Sequence, residues 1–187
     1  MVELLGEDGR TLASQRLNYY EYLNHSIAIA PKMEFRLAGV SELGRLVISV
    51  NDRYGRKAAL ASTELVLMSI GDNDASAAGT GIAPYLFRSP VADQIIKGGI
   101  IAIRGLARPV NEKPVILELL DEQGQILANG QLQIALPSGE LSHTPFSIDL
   151  AYKIAAPMHG RLVIRQESAN RIPGTVAMWS IPVNLEP

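Results

Sequence analysis

The sequence predicts an all-β protein made of two β-sandwich repeats in series. Two blocks of residues recur in the same order at a spacing of about 115 residues, a domain-sized period rather than the roughly 20–50 residues of a solenoid unit. Short apolar segments alternate with Gly, Pro, Asn and Asp at intervals of roughly 8–12 residues, the spacing of sandwich strands and turns. No segment carries the 3.6-residue periodicity of a long amphipathic helix; Val40–Leu43 and Tyr152–Ala156 are expected to hold one short turn each. The chain has 187 residues, 47% of them hydrophobic and 5% aromatic, so the expected core is aliphatic.

The first recurring block is a hairpin. Glu3, Leu4, Leu5, Glu7, Gly9, Leu12 and Ala13 match Glu118, Leu119, Leu120, Glu122, Gly124, Leu127 and Ala128. Val115–Leu120 is nearly continuous in apolar character and reads as a buried strand, Asp121-Glu122-Gln123-Gly124 as the turn, and Ile126-Leu127-Ala128 as the return strand. Gly124 is there because a tight turn needs a residue free to adopt positive φ; Asp8-Gly9 does the same in the first copy. The second block pairs Gly44-Arg45-Leu46-Val47-Ile48 with Gly160-Arg161-Leu162-Val163-Ile164, a turn glycine feeding a buried strand. Between the blocks, Phe35-Arg36-Leu37 answers Phe146-Ser147-Ile148. A last strand closes each copy, Glu64–Met68 in one and Ser180–Leu185 in the other. Pro182 cannot donate a ladder hydrogen bond, which places it at a sheet edge or a switch between sheets. The expected core is Leu4, Leu12, Phe35, Leu46 and Ile48 in copy one, and Leu119, Leu127, Phe146, Leu162 and Ile164 in copy two.

The copies are unequal. The second is preceded by Arg88-Ser89-Pro90, a Gly98-Gly99 turn and the strand Ile100–Ala107, none of which has a counterpart in the first. Copy one therefore reads as an incomplete sandwich lacking its opening strands, with truncation as the expected origin. An unfinished sandwich exposes core face and an open edge, which favours a homodimer through that edge or strand exchange. The expected division is 1–70 for the incomplete sandwich, 71–84 for a flexible linker of small and polar residues, and 85–187 for the complete sandwich.

Several of these features together resemble the Gmad2-type immunoglobulin-like domain of bacterial spore germination proteins. The residues that carry the likeness are Ser89-Pro90, Ile103-Arg104-Gly105-Leu106-Ala107, Val115–Ala128, Pro145-Phe146, Gly160–Ile164 and Ile181-Pro182-Val183, with copy one matching over 2–70. One departure stands out: the stretch before Pro145-Phe146 is Ser138-Gly139-Glu140-Leu141-Ser142-His143-Thr144, without the aromatics usual there. The resemblance implies two tandem immunoglobulin-like β-sandwiches, the first lacking its N-terminal strands, in a cell-envelope or extracellular setting. It implies no catalytic residues.

Chemistry is sparse. Cysteine is absent, which excludes disulfides, thiol nucleophiles and cysteine-ligated zinc. With 17 basic and 19 acidic residues and a net charge of −2, nothing suggests a nucleic-acid partner. No apolar run reaches the length of a membrane span. Met1 is followed at once by Val2-Glu3-Leu4-Leu5, so a targeting segment is not expected within this chain. His25, His143 and His159 have no neighbouring ligands at metal spacing and read as solvated loop residues. Asp72-Asn73-Asp74-Ala75-Ser76 imitates the opening of a calcium loop, but Ala77 and Ala83 stand where its glycine and bidentate acid belong. No metal, cofactor or enzymatic activity is expected.

The one conspicuous stretch is Asn18-Tyr19-Tyr20-Glu21-Tyr22. Tyrosine offers a flat face and a polar tip, so Tyr19, Tyr20 and Tyr22 are the candidate ligand-binding residues, either for a sugar ring or a protein partner; the competing expectation is that they cover the sandwich. Trp179 is expected in the core. The leading functional expectation is a non-enzymatic envelope or extracellular module for protein binding or domain spacing. The alternative is a carbohydrate-binding module for cell-wall glycans, using the three tyrosines.

Overall fold

The computed structural model describes residues 1–18, 31–69, 74–75, 83–139 and 142–187. It is all-β with two sheets. Among the described residues the strands are β1 (Val2–Leu5), β2 (Thr11–Gln15), β3 (Ser41–Asn51), β4 (Lys57–Met68), β5 (Asp74–Ala75), β6 (Tyr85–Ser89), β7 (Ile95–Ile96), β8 (Ile100–Ala107), β9 (Val115–Leu120), β10 (Ile126–Leu132), β11 (Thr144–Ala151), β12 (Met158–Glu167) and β13 (Thr175–Leu185). Neither stretch expected to hold a helical turn does so: Val40 lies in a bend leading into β3, and Tyr152–Ala156 is irregular chain after β11.

The large sheet has the order β10-β9-β12-β13-β4-β3-β1-β2, with β5 beside β4 and β7 beside β13. The small sheet is β11-β8-β6. Alternation explains how the small sheet packs. In β8, Ile101, Ile103 and Ala107 are buried while Ile100, Ala102 and Arg104 are exposed. That period of two is what a strand with one core face requires. The inward side chains meet Val115, Leu117 and Leu119 of β9, Leu162 and Ile164 of β12, Val183 and Leu185 of β13, and Phe146 and Leu150 of β11 in one core. Leu127 packs against that core half-buried.

Both copies repeat the same ladder. Leu4 pairs with Ala13 and Leu46, as Leu119 pairs with Ala128 and Leu162. The first hairpin of each copy has an irregularity at the same place, between Leu4 and Leu5 in one and facing Leu119–Leu120 in the other. The turns coincide as well. Gly9 has φ 82° and Gly124 φ 81°; the Gly9 amide donates to Gly6 O at 2.9 Å, the Gly124 amide to Asp121 O at 3.1 Å. These are backbone angles that side-chain-bearing residues seldom adopt.

The two copies differ in what covers them. In β12, Leu162 and Ile164 face the small sheet and are fully buried. Their counterparts depart from expectation: Leu46 is half-buried, Ile48 is 37% exposed, and Arg45, Val47 and Ser49 of the opposite face are buried instead. Among the described residues copy one has no counterparts of β6 and β8, so the Leu46–Ile48 face lacks the lid its twin has. Phe35 and Leu12 are likewise half-buried, and residues 31–37 alternate half-buried and exposed without pairing as a strand among the described residues. Trp179, expected in the core, is 45% exposed: its partner Ile164 faces the small sheet, and its other partner, Ala59, belongs to copy one.

Pro182 sits in the interior of the large sheet, where β13 exchanges one neighbour for another. Residues 177–179 pair with β4, and Asn184 and Leu185 pair with β7. Between them Pro182 O accepts from the Asp93 amide at 2.8 Å. The missing N–H therefore falls at a change of partner, where no regular ladder bond is lost.

Candidate functional site

The most elaborate arrangement of polar side chains lies on the seam between the copies. β4 closes the first and β13 the second, and the two pair antiparallel: Ala177 with Ala61, Met178 with Leu60, Trp179 with Ala59. Gly44 pairs with Leu65 and Gly160 with Val183. Counting back equally from those partners brings Leu60 and Met178 to equivalent positions. The seam thus has a local twofold axis between these two residues, the geometry of an isologous contact made within one chain.

Side chains obey the same symmetry. Ser62 Oγ donates to Val176 O at 3.0 Å, and its counterpart Ser180 Oγ donates to Ala58 O at 2.6 Å. The arginines of the recurring Gly-Arg-Leu-Val-Ile block each cross the seam. Arg45, 1% exposed, donates to Ser168 Oγ at 2.7 Å, Ile172 O at 2.7 Å and Pro173 O at 3.1 Å, all in the loop between β12 and β13. Arg161 donates from Nε to Asp52 Oδ2 at 2.8 Å, in the loop between β3 and β4, and from Nη1 to Ser180 Oγ at 2.7 Å. Each hairpin loop also leans on the other copy's first turn. Pro173 lies beside Gly9, and Arg56 beside Gly124, where its Nη1 donates to Asp121 O. A guanidinium suits this role because it stays charged when buried and presents several donors in a fixed plane.

Asp52 is the hinge of the second crossing. Its Oδ1 accepts from the Tyr54 and Arg56 amides, each at 2.9 Å. Its Oδ2 accepts from Arg56 Nε and Arg161 Nε, each at 2.8 Å. Burial on its own would raise the Asp52 pKa; the hydrogen bonds from Arg56 and the charges of Arg161 and Arg56 outweigh it and hold the carboxyl below its usual value of 3.8. Beside the seam, Arg165 grips Glu118 with two bonds of 3.0 and 2.8 Å, and hydrogen bonding to Glu118 raises its pKa despite burial.

Tyr19, Tyr20 and Tyr22 lie outside the described residues, as does His25. His143 is half-buried and its Nε2 meets Ala83 O at 2.9 Å; His159 is exposed but stands in β12 rather than in a loop, and its Nδ1 meets Asn184 Oδ1 at 2.7 Å. Of the calcium-loop imitation only Asp74-Ala75 is described, as a short strand against Leu65 and Val66. Among the described residues no group of three acidic or histidine side chains could hold a metal ion, and no helix is long and apolar enough to cross a membrane.

Sequence reading missed the arginines: Arg45 and Arg161 stood in the recurring block and were read only as part of a strand. The available signal was a charged residue kept at the same place in two strands otherwise apolar, since such a residue, once buried, needs a partner. No protein-family model, curated protein or solved structure matches the chain.

Proposed function

We propose that the chain is a non-enzymatic module of the cell envelope or extracellular space, in which two immunoglobulin-like repeats act as one stiff unit that binds a protein partner or spaces its neighbours. The observation that carries the reading is the seam. Two buried arginines cross it in opposite directions, and one sheet runs through both repeats. Repeats joined only by a linker would move independently, as intra-chain domain contacts usually allow; repeats sharing a ladder and interlocked loops hold a fixed distance and orientation. A module that spaces or presents needs that stiffness and needs no catalytic group.

The absence of cysteine allows a direct test. Ser14 and Asn129 are exposed and occupy equivalent places on β2 and β10, at the two ends of the large sheet. Spin labels at Ser14→Cys and Asn129→Cys should give one narrow distance distribution. A broad or concentration-dependent distribution sinks the stiff-unit reading. Protease accessibility of the tagged protein on intact cells of its source tests the compartment. The glycan alternative rests on Tyr19, Tyr20 and Tyr22 alone: unchanged tyrosine fluorescence on titration with cell-wall glycans excludes it. Self-association through an open sheet edge is read by light scattering at several concentrations.

A further inference from the structure

We infer that the cleft between the β3–β4 loop and the β12–β13 pair is a binding site for a compact oxyanion, a carboxylate or phosphate group on a small ligand. The inference is independent of the module's proposed role and rests on the charge balance around Asp52. That single carboxylate is shared by two guanidiniums, Arg56 and Arg161, at 2.8 Å each. Their side chains are only 6% and 8% exposed. The triad therefore holds one positive charge in excess on side chains largely withdrawn from bulk water, and a charge so placed is costly unless something pairs with it. The nearby acid Asp121 does not form an ion pair with either; its Oδ1 accepts from the Gln123 and Gln125 amides at 2.9 and 2.7 Å.

The donors are also incompletely used. Arg56 spends Nε on Asp52 and Nη1 on Asp121 O; Arg161 spends Nε on Asp52 and Nη1 on Ser180 Oγ. Among the described residues neither Nη2 has a partner, and neither is sealed from solvent. Both residues line a cleft of about 470 Å³. Planar, pre-oriented N–H donors held by a carboxylate behind them are what a bidentate oxyanion requires.

The rim adds to this. Tyr54 lies under Arg53 and Arg56, their guanidinium carbons 4.8 and 5.0 Å from its ring centre, and Arg53 Nη2 donates to Tyr54 Oη at 2.8 Å. Asn184 Nδ2 donates to Asp93 O, so its Oδ1 accepts from His159 Nδ1, which leaves Nε2 of that ring as the second polar atom at the cleft. Asp93 lines the same cleft, and Glu122 Oε1 lies 3.4 Å from the His159 amide. Those acids limit the ligand to one compact negative group.

The test uses the whole chain and three salts: inorganic phosphate, acetate and chloride, each titrated to about 50 mM while the His159 ring and the 52–56 amides are followed by NMR. Phosphate or acetate should saturate these shifts in the low millimolar range while chloride does not, and whichever binds tighter identifies the anion class. Arg56→Lys keeps the charge but loses the fork, and should weaken binding by about tenfold; Arg53→Gln with His159→Gln, both at the rim, should weaken it by several-fold with the thermal midpoint unchanged. Equal responses to all three salts, no response to phosphate or acetate, or undiminished affinity in both variants would each overturn the assignment.

Discussion

Met178 lies directly opposite Leu60 in the ladder that joins the two copies, and the two are equivalent positions of the same repeated strand. A twofold relation within one chain means that whatever one copy does across the seam, the other does back. Arg45 reaches Ser168 and Arg161 reaches Asp52, and those two partners themselves occupy matching places, each just beyond the strand that carries the other arginine.

The first expectation concerns Arg45. It is almost fully buried, and its removal leaves Ile172 O and Pro173 O without the donor they face. Arg45→Ala should lower stability by about 3 kcal/mol, and Arg45→Lys should recover little because one ammonium cannot reach three acceptors spread over the loop. Urea denaturation reads both. A loss below about 0.5 kcal/mol, the range of ordinary surface changes, would show that the loop does not depend on the crossing.

Asp52 predicts an acid limb. Its folded pKa lies below 3.8 while the unfolded chain has the ordinary value. The unfolded state therefore binds the proton first as pH falls, so the stability that Asp52 supplies is complete above the ordinary carboxylate pKa and drains away as pH drops through the depressed one. Asp52→Asn should cost about 3 kcal/mol at neutral pH, since it leaves Arg56 and Arg161 without their shared counter-charge. The difference between wild type and variant should then shrink steadily below about pH 4. Denaturation midpoints at pH 7, 4 and 3 check this; a constant difference would show that the carboxylate is not what the arginines need.

Two phenylalanines at corresponding places in the sequence predict unequal costs. Phe146 is 8% exposed within the central core, whereas Phe35 is half-buried and unpaired in any described strand. Phe146→Ala should cost about 3–5 kcal/mol. Phe35→Ala should cost about 1–2 kcal/mol, in proportion to the smaller area it removes from water. Equal losses in parallel denaturant titrations would mean that copy one has a core as complete as its twin.

What the sequence made legible was local. The Gly9 and Gly124 turns and the strand over Ile100–Ala107 depend on residues a few positions apart and were placed correctly; Gly44 and Gly160, read as turn glycines, instead lie inside β3 and β12, each paired across the ladder. Which face of a strand is buried depends on what lies over it. Leu46 and Ile48 resemble Leu162 and Ile164 in every local respect, yet only the second pair meets the small sheet. The arginine crossings were invisible for the same reason: Arg45 and the loop it holds are separated by more than a hundred residues of chain. Only knowledge that β4 and β13 pair would bring them together.

Gly105 is a case where sequence and packing agree closely enough to support a sharp expectation. It lies in the middle of β8 between its two neighbours, β6 and β11, paired with Phe87 on one side and Phe146 on the other. A Cβ there would collide with Leu86 O and come within 2.7 Å of Phe146 Cζ. The carbonyl is held in the sheet and cannot retreat, and the ring is held by the core, so no flexible side-chain end is available to give way. Gly105→Ala should therefore destabilise by about 2 kcal/mol, although alanine is the smallest possible addition and β-structure usually gains from replacing glycine. Gly139→Ala, where nothing lies within 4 Å of the added carbon, is the matched control and should be close to neutral. If thermal unfolding of the two variants coincides, the small sheet does not close over Gly105 as tightly as the distances require.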